Sequence, residues 1–423
     1  MKRELTLQFL QRTLPDPPWN EDALRKILDD LRVLADYKYN KYEMYQPARL
    51  FFESLNLFLN RFSGQDRTTA LKFIRDQLIF ISREEFQQLA HVLYYDRIRQ
   101  KQLDLAAHTS GIPRHHLTRL VASGEFKRIQ RASLYVALSD GARIDYFRRQ
   151  NLDINNEQVL AAYYIGDEKV DDVQKELRKE LGDENALFSC VFFLDDFSGS
   201  GRTLLREVVN FDLPVAAEIM EVPEGLKGKL SLNKDKHQME WNYKGAISDD
   251  EQKLLQAMAS TSDMQGLFSN LVNACAERKT SIKGSLKRIS SSEKLMSLVA
   301  ADASVFFAPL LATEYSVMRL RELTTRLPTP LNNLDIIPAA TVSNSVRTLS
   351  NVGEEVARLC EAYYDKSLED RHTSNVMYGY DDCGLPLVLH HNTPNNSLYF
   401  LWARKWRDPL FPRFERHGRE VSR

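Results

Sequence analysis

Apolar residues recur at Leu24, Ile27, Leu28, Leu31 and Leu34, the spacing of one helical face, just after Trp19-Asn20-Glu21-Asp22, whose polar side chains suit a helix start. Similar patterns predict helices over 47–62, 69–81 and 84–99, so the first hundred residues read as helical. Tyr37, Tyr39, Tyr42 and Tyr45 cluster between the first two of these, as core packing or as a stacking surface. Residues 101–130 have the outline of a helix-turn-helix, with Ser110-Gly111-Ile112-Pro113 as the turn and a second helix from His115 to Ser123, but few basic residues surround it.

From Ser133 the period changes. Residues 133–138 form a short β-prone run, 169–181 an amphipathic helix, and 187–194 a buried strand. Helix 203–209 and strand 215–222 follow. After a polar, Lys- and Ser-rich stretch, strand 304–311, helix 314–326, strand 334–342 and helix 352–364 resume the rhythm, and 386–390 with 397–402 reads as a last strand pair. Strands alternating with helices predict an α/β fold with a doubly wound, mainly parallel sheet. The expected organisation is a helical region over 1–130, a first part of the α/β core over 131–223, and an insertion or lid over 224–300 with a hairpin at 228–243. The rest of the core covers 301–403, and a basic tail covers 404–423.

Composition changes this picture little. With 43% hydrophobic and 27% charged residues and a formal net charge of −1, no whole-chain field steers the protein to nucleic acid or acidic lipid. The arginine-rich tail is the exception, either as a solvated segment or as a patch for nucleic acid or a partner. Cys190, Cys275, Cys360 and Cys383 are scattered with no C-x-x-C pair, which points to reduced structural thiols. The amino terminus lacks the apolar core of a signal peptide, and the apolar stretch 298–312 is interrupted by Asp302 and Pro309. A cytoplasmic protein is expected.

The chemistry concentrates in Val191-Phe-Phe-Leu-Asp-Asp-Phe-Ser-Gly-Ser-Gly-Arg-Thr-Leu204. An apolar strand delivers Asp195 and Asp196 to the place where open α/β sheets bind ligands. These carboxylates suit the vicinal hydroxyls of a ribose. Ser198, Gly199, Ser200, Gly201, Arg202 and Thr203 offer backbone N–H groups, hydroxyls and a helix start to a phosphate. A Walker loop is excluded, because Asp196 stands where its first glycine belongs and Arg202 where it needs lysine. Upstream, Ser139, Asp140, Gly141, Ala142 and Arg143 follow a strand, as an oxyanion-binding loop or as a capped turn. Near the carboxyl end, His391, Asn392, Thr393, Asn395 and Asn396 can recognise a ligand, or form a polar loop turned by Pro394.

The acidic segment resembles the phosphoribosyltransferase signature, in which an apolar strand, two acids and an apolar residue lead into a small-residue loop ending Gly-x-Thr. Asp195, Asp196, Phe197, Gly201 and Thr203 match it, while Gly199-Ser200 replace paired threonines and Arg202 replaces glycine or lysine. The resemblance implies that the acids hold the ribose of phosphoribosyl pyrophosphate, that the loop holds its 5-phosphate and that Mg²⁺ rides on the pyrophosphate. It also implies a pyrophosphate-contacting loop at 139–143, with Arg143 joining Asp195 and Asp196 in the catalytic set.

Taken with the segment 138–149, Gly379-Tyr380, His391–Asn396 and Leu410-Phe-Pro-Arg413, the chain resembles the phosphoribosyltransferase-like family of prokaryotic conflict systems, PRTase-CE. That resemblance implies an antiphage effector, as in some retron cassettes, with a reverse transcriptase, its noncoding DNA or other operon products as partners. The expected function is a phosphoribosyltransferase-like enzyme, and the alternative is a catalytically inactive nucleotide-sensing or nucleic-acid- or reverse-transcriptase-binding subunit.

Overall fold

The computed structural model describes residues 3–14, 21–47, 49–139, 141–160, 167–204, 230–235, 238–243, 248, 281–283, 297–324, 334–347, 354–364, 366, 376–403 and 408–413. The chain divides into two units, Met1–Gln88 with Val342–Arg423, and Leu89–Thr341. No helix among the described residues is long and apolar enough to cross a membrane.

The first unit begins with α1 (Arg3–Thr13), α2 (Glu21–Tyr37), α3 (Phe51–Leu59) and α4 (Asp66–Asp76). Helix α2 buries Leu24, Ile27, Leu28 and Leu31, as their spacing predicts, and the stripe closes on Ala35. The predicted helix 69–81 is corrected at its end: α4 stops at Asp76 and Ile79–Ile81 form strand β1. Those β-branched and aromatic residues pair in parallel with Leu387–Leu389, a partner that local periodicity cannot reveal. Tyr39 and Tyr42 are core, packed with Phe51, Phe80 and Phe411, so the tyrosine cluster is chiefly packing and not a stacking platform.

Helix α5 (Arg83–Val92) runs through a wide turn at Leu93–Ile98 into α6 (Arg99–Ser110), which Gly111 ends with φ +70°. Helices α7 (Leu117–Ala122) and α8 (Gly124–Arg131) complete the helix-turn-helix outline. The turn's Arg114 is bound to Asp104 and Gln100 of α6.

The second unit is built on a sheet. In chain order come β2 (Ser133–Ala137), α9 (Ile144–Gln150), β3 (Val159–Leu160), α10 (Asp167–Leu181) and β4 (Phe188–Ser198). The predicted hairpin is present as antiparallel β5 (Leu230–Asp235) and β6 (Gln238–Tyr243), joined by β7 (Ser281–Lys283). Strand β8 (Val299–Thr313), α11 (Glu314–Thr324), β9 (Asp335–Ile336) and β10 (Ala340–Val342) follow. The predicted strand 215–222 and most of 224–300 lie outside the described residues.

The sheet order is β10-β8-β4-β2-β3, with β9 also on β8. β2 pairs in parallel with β3 and β4, and β8 in parallel with β4 and β9. From β2 the chain steps to β3 on one side and then to β4 on the other, so its direction of winding reverses there. Tyr135, Phe192 and Phe306 occupy one register across β2, β4 and β8. Their rings stack, with centroids 5.4 and 4.7 Å apart. On the other face Leu134, Val136, Val191, Phe193, Val305 and Phe307 join a single core with Val173 and Leu177 of α10. A one-residue slip would move every one of these side chains to the wrong face. That register is what levels the strand ends.

The chain then returns to the first unit with α12 (Glu354–Tyr363), β11 (Leu387–Leu389) and α13 (Tyr399–Trp402). The second member of the predicted strand pair is corrected: Tyr399–Trp402 is one helical turn. All four side chains are buried, and a fully buried short run carries no periodicity to separate helix from strand. Cys190, Cys360 and Cys383 are buried free thiols, with burial pushing Cys190 up to about 11 and raising Cys360 as well. Such thiols stay protonated and inert at neutral pH. Cys275 lies outside the described residues.

Candidate functional site

Strands β2 and β4 pair from Ser133↔Cys190 to Ala137↔Leu194, and Leu138 N–H still donates to Leu194 O at 2.9 Å. The next residues of both strands therefore emerge side by side. There Ser139 Oγ donates to Asp195 Oδ1 at 2.8 Å. The two sequence-predicted loops thus meet through a side-chain bond across 56 residues of chain.

The acids sit within the strand and not after it, which corrects the expected strand end at Leu194: β4 runs to Ser198 because β8 stays paired with it as far as Ser198↔Ala312. Asp195 is buried and Asp196 half-buried. Asp195 Oδ1 also accepts from Asp196 N–H at 3.1 Å, and Asp196 Oδ1 accepts from Phe197 N–H at 2.9 Å. Burial, and then the adjacent Asp196 carboxylate, hold the Asp195 carboxyl well above the usual carboxylate range. Of the two, Asp195 is thus the carboxyl held back from ionising, by burial first and by its neighbour second. This arrangement can accept hydrogen bonds from vicinal hydroxyls at Asp196 while Asp195 braces it.

The loop after β4 is packed, not extended into solvent. Ser198, Gly199, Ser200 and Gly201 are buried, Arg202 and Thr203 half-buried, and residues 202–204 are helical. Beyond 204 the expected helix lies outside the described residues. Gly201 has φ +79°, and a Cβ there would stand 2.7 Å from Leu320 Cγ, so the position requires glycine twice over.

Three residues that sequence reasoning did not single out hold this loop. Thr313 Oγ1 donates to Gly199 O at 2.6 Å, Ser316 Oγ lies 2.7 Å from Ser198 Oγ, and Arg319 Nη1 donates to Ser200 O at 3.1 Å. Their sequence signal is only that of a helix start: Thr313 Oγ1 accepts from Ser316 N–H three residues on.

The upstream turn closes through Ala142 N–H to Ser139 O at 3.0 Å. Arg143 is half-buried in the left-handed region, φ +48° and ψ +40°, and caps α9. A non-glycine residue held there costs about 1–3 kcal/mol and persists only where its surroundings fix it. Gly141 is half-buried and Ala142 buried, while Asp140 lies outside the described residues.

The carboxyl-terminal candidates belong to the first unit. Thr393 Oγ1 bonds Tyr42 Oη at 2.9 Å and Phe411 O at 3.0 Å, and Asn396 Nδ2 donates to Tyr380 O at 2.9 Å. Asn395 O accepts from Tyr380 N–H at 2.8 Å. His391 is buried edge-on to Phe86 and His390, while Asn392 and Asn395 are half-buried. Thr393 and Asn396 thus tie this segment to its own unit. The basic tail beyond residue 413 lies outside the described residues.

The model of the PRTase-CE family matches residues 271–413, about a third of the chain. Over that segment the chain is similar to the PRTase-CE family. The PRTase-CE match includes β8, α11 and the His391–Asn396 segment, whereas Ser139–Arg143 and Asp195–Thr203 precede it. The loop-holding residues Thr313, Ser316 and Arg319 fall inside it. No curated protein and no solved structure matches the chain.

Proposed function

We propose that this chain binds phosphoribosyl pyrophosphate or a nucleotide at the carboxyl ends of β2 and β4, and that it acts as a phosphoribosyltransferase-like enzyme. The observation that carries the reading is the Ser139–Asp195 bond, which joins an oxyanion-type turn to an acidic strand end followed by a Gly-Ser-Gly loop. The reversal of winding at β2 is what a doubly wound sheet has at its ligand crevice. In this reading Asp196 accepts from the ribose hydroxyls, the 198–203 loop takes the 5-phosphate, and Arg143 faces the pyrophosphate. The sugar C1 bond to pyrophosphate breaks through an oxocarbenium-like state as the acceptor attacks.

The donor set also bears on Mg²⁺. Among the described residues no cluster of three or more His, Cys, Asp or Glu forms a metal cage. A half-buried carboxylate beside a phosphate loop fits Mg²⁺ held mainly by substrate oxygens, with Asp196 as the protein's contribution. Bound there, the ion would neutralise charge on the departing pyrophosphate.

An effector that consumes or modifies nucleotides in antiphage defence is part of the same proposal, supported by the family match. Its reverse transcriptase or noncoding DNA partners would appear on co-purification from the native operon. The test of activity is release of pyrophosphate from phosphoribosyl pyrophosphate with Mg²⁺ across an acceptor series. Release by the wild type that Asp195→Asn/Asp196→Asn abolishes supports the enzyme. Binding without turnover throughout the series points instead to a sensor.

A further inference from the structure

We propose that Thr313, Ser316 and Arg319 are positioning residues that aim the backbone amides of Ser200 and Gly201 at a phosphate monoester. The inference rests on the phosphoribosyl reading above and names the groups that make its phosphate subsite.

The argument is one of peptide geometry. A trans peptide is planar, so its C=O and N–H point in opposite directions. Gly199 O shares a peptide with Ser200 N–H, and Ser200 O shares one with Gly201 N–H. Thr313 and Arg319 grip these two carbonyls from the β8–α11 corner. Both N–H groups are thereby turned away from that corner. Among the described residues neither amide donates to a protein acceptor. Two successive N–H groups turned to one side make an anion-binding concavity.

Each grip is itself constrained. Thr313 Oγ1 accepts from Ser316 N–H at 2.9 Å, so its own proton is directed to Gly199 O. Ser316 Oγ meets Ser198 Oγ, which anchors the entry to the loop. The Arg319 guanidinium lies 5.9 Å from the Tyr315 ring centroid, and Leu320 packs directly on Gly201. A cation on Ser200 O also polarises that peptide and makes the Gly201 N–H a stronger donor.

The test is calorimetric titration of the full chain with ribose 5-phosphate, with ribose as the phosphate-free control. Thr313→Val keeps shape but loses the hydroxyl, Thr313→Ser keeps the hydroxyl, and Arg319→Gln alters a half-buried side chain that leaves the core intact. Loss of one anchoring hydrogen bond should weaken ribose 5-phosphate binding by about tenfold in Thr313→Val and Arg319→Gln, with Thr313→Ser close to wild type. A purely structural role would lower melting temperature and affinity together, whereas a positioning role lets a folded Arg319→Gln protein keep its melting temperature while losing affinity. If both variants bind as wild type does while Asp195→Asn/Asp196→Asn does not, the positioning role is overturned and the site stands. If wild type fails to bind ribose 5-phosphate, the phosphoribosyl reading falls and this inference with it.

Discussion

Ser139 Oγ and Asp195 Oδ1 lie 2.8 Å apart, and this bond fastens the end of β2 to the end of β4. Removing the hydroxyl with Ser139→Ala should cost about 0.5–1.5 kcal/mol of stability. It should also weaken binding of phosphoribosyl pyrophosphate, because the turn carrying Arg143 loses its tie to the acidic strand end. Thermal melts and titration calorimetry on the same preparations check both effects. Unchanged affinity would separate the turn from the site.

The Asp195 carboxyl is raised above its ordinary value by burial and by Asp196, and this gives a signed pH dependence. A folded-state pKa above the unfolded one means that the unfolded chain ionises first. The contribution of Asp195 to stability is therefore full below the ordinary carboxylate range and is lost as pH rises through the raised folded value. Asp195→Asn should flatten that decline, and near neutral pH the variant should melt higher than wild type while binding ligand worse. Melting curves from about pH 4, near the ordinary carboxylate value, up to about pH 8 test the sign. A variant that melts lower throughout would contradict it.

At Gly201 a side chain meets two obstacles, the positive φ and Leu320. Gly201→Ala should destabilise by about 1–3 kcal/mol and distort the loop that Thr313 and Arg319 hold. Circular dichroism melts would measure the loss, and a neutral substitution would show that the loop has another conformation.

Thr393 is completely buried and its hydroxyl bonds Tyr42 and the Phe411 carbonyl. Thr393→Val should cost about 0.5–1.5 kcal/mol, the worth of the lost hydrogen bonds, since Tyr42 Oη still donates to Pro412 O, and it should leave affinity for ribose 5-phosphate unchanged. Changed affinity at unchanged stability would instead assign this segment to ligand recognition.

The sheet was legible because its strands are short apolar runs with marked ends, and Asp195-Asp196 before Gly-Ser-Gly is a dense local signal. Strand β1 was hidden, since Ile79–Ile81 continues a helical apolar pattern until its remote partner is known. Charge normally ends a buried run, so the pattern alone ends the strand before Asp195; the long pairing with β8 overrides that rule. Thr313, Ser316 and Arg319 could not be assigned a role, as their meaning lies in contacts 114 to 119 residues away.

The most direct measurement is titration of wild type and Asp195→Asn/Asp196→Asn with phosphoribosyl pyrophosphate and Mg²⁺. A saturable wild-type isotherm with one ligand per chain, weakened by about tenfold or more in the double variant, is the predicted result. Absence of wild-type binding, or equal binding by the variant, would contradict a phosphoribosyl site at Asp195 and Asp196.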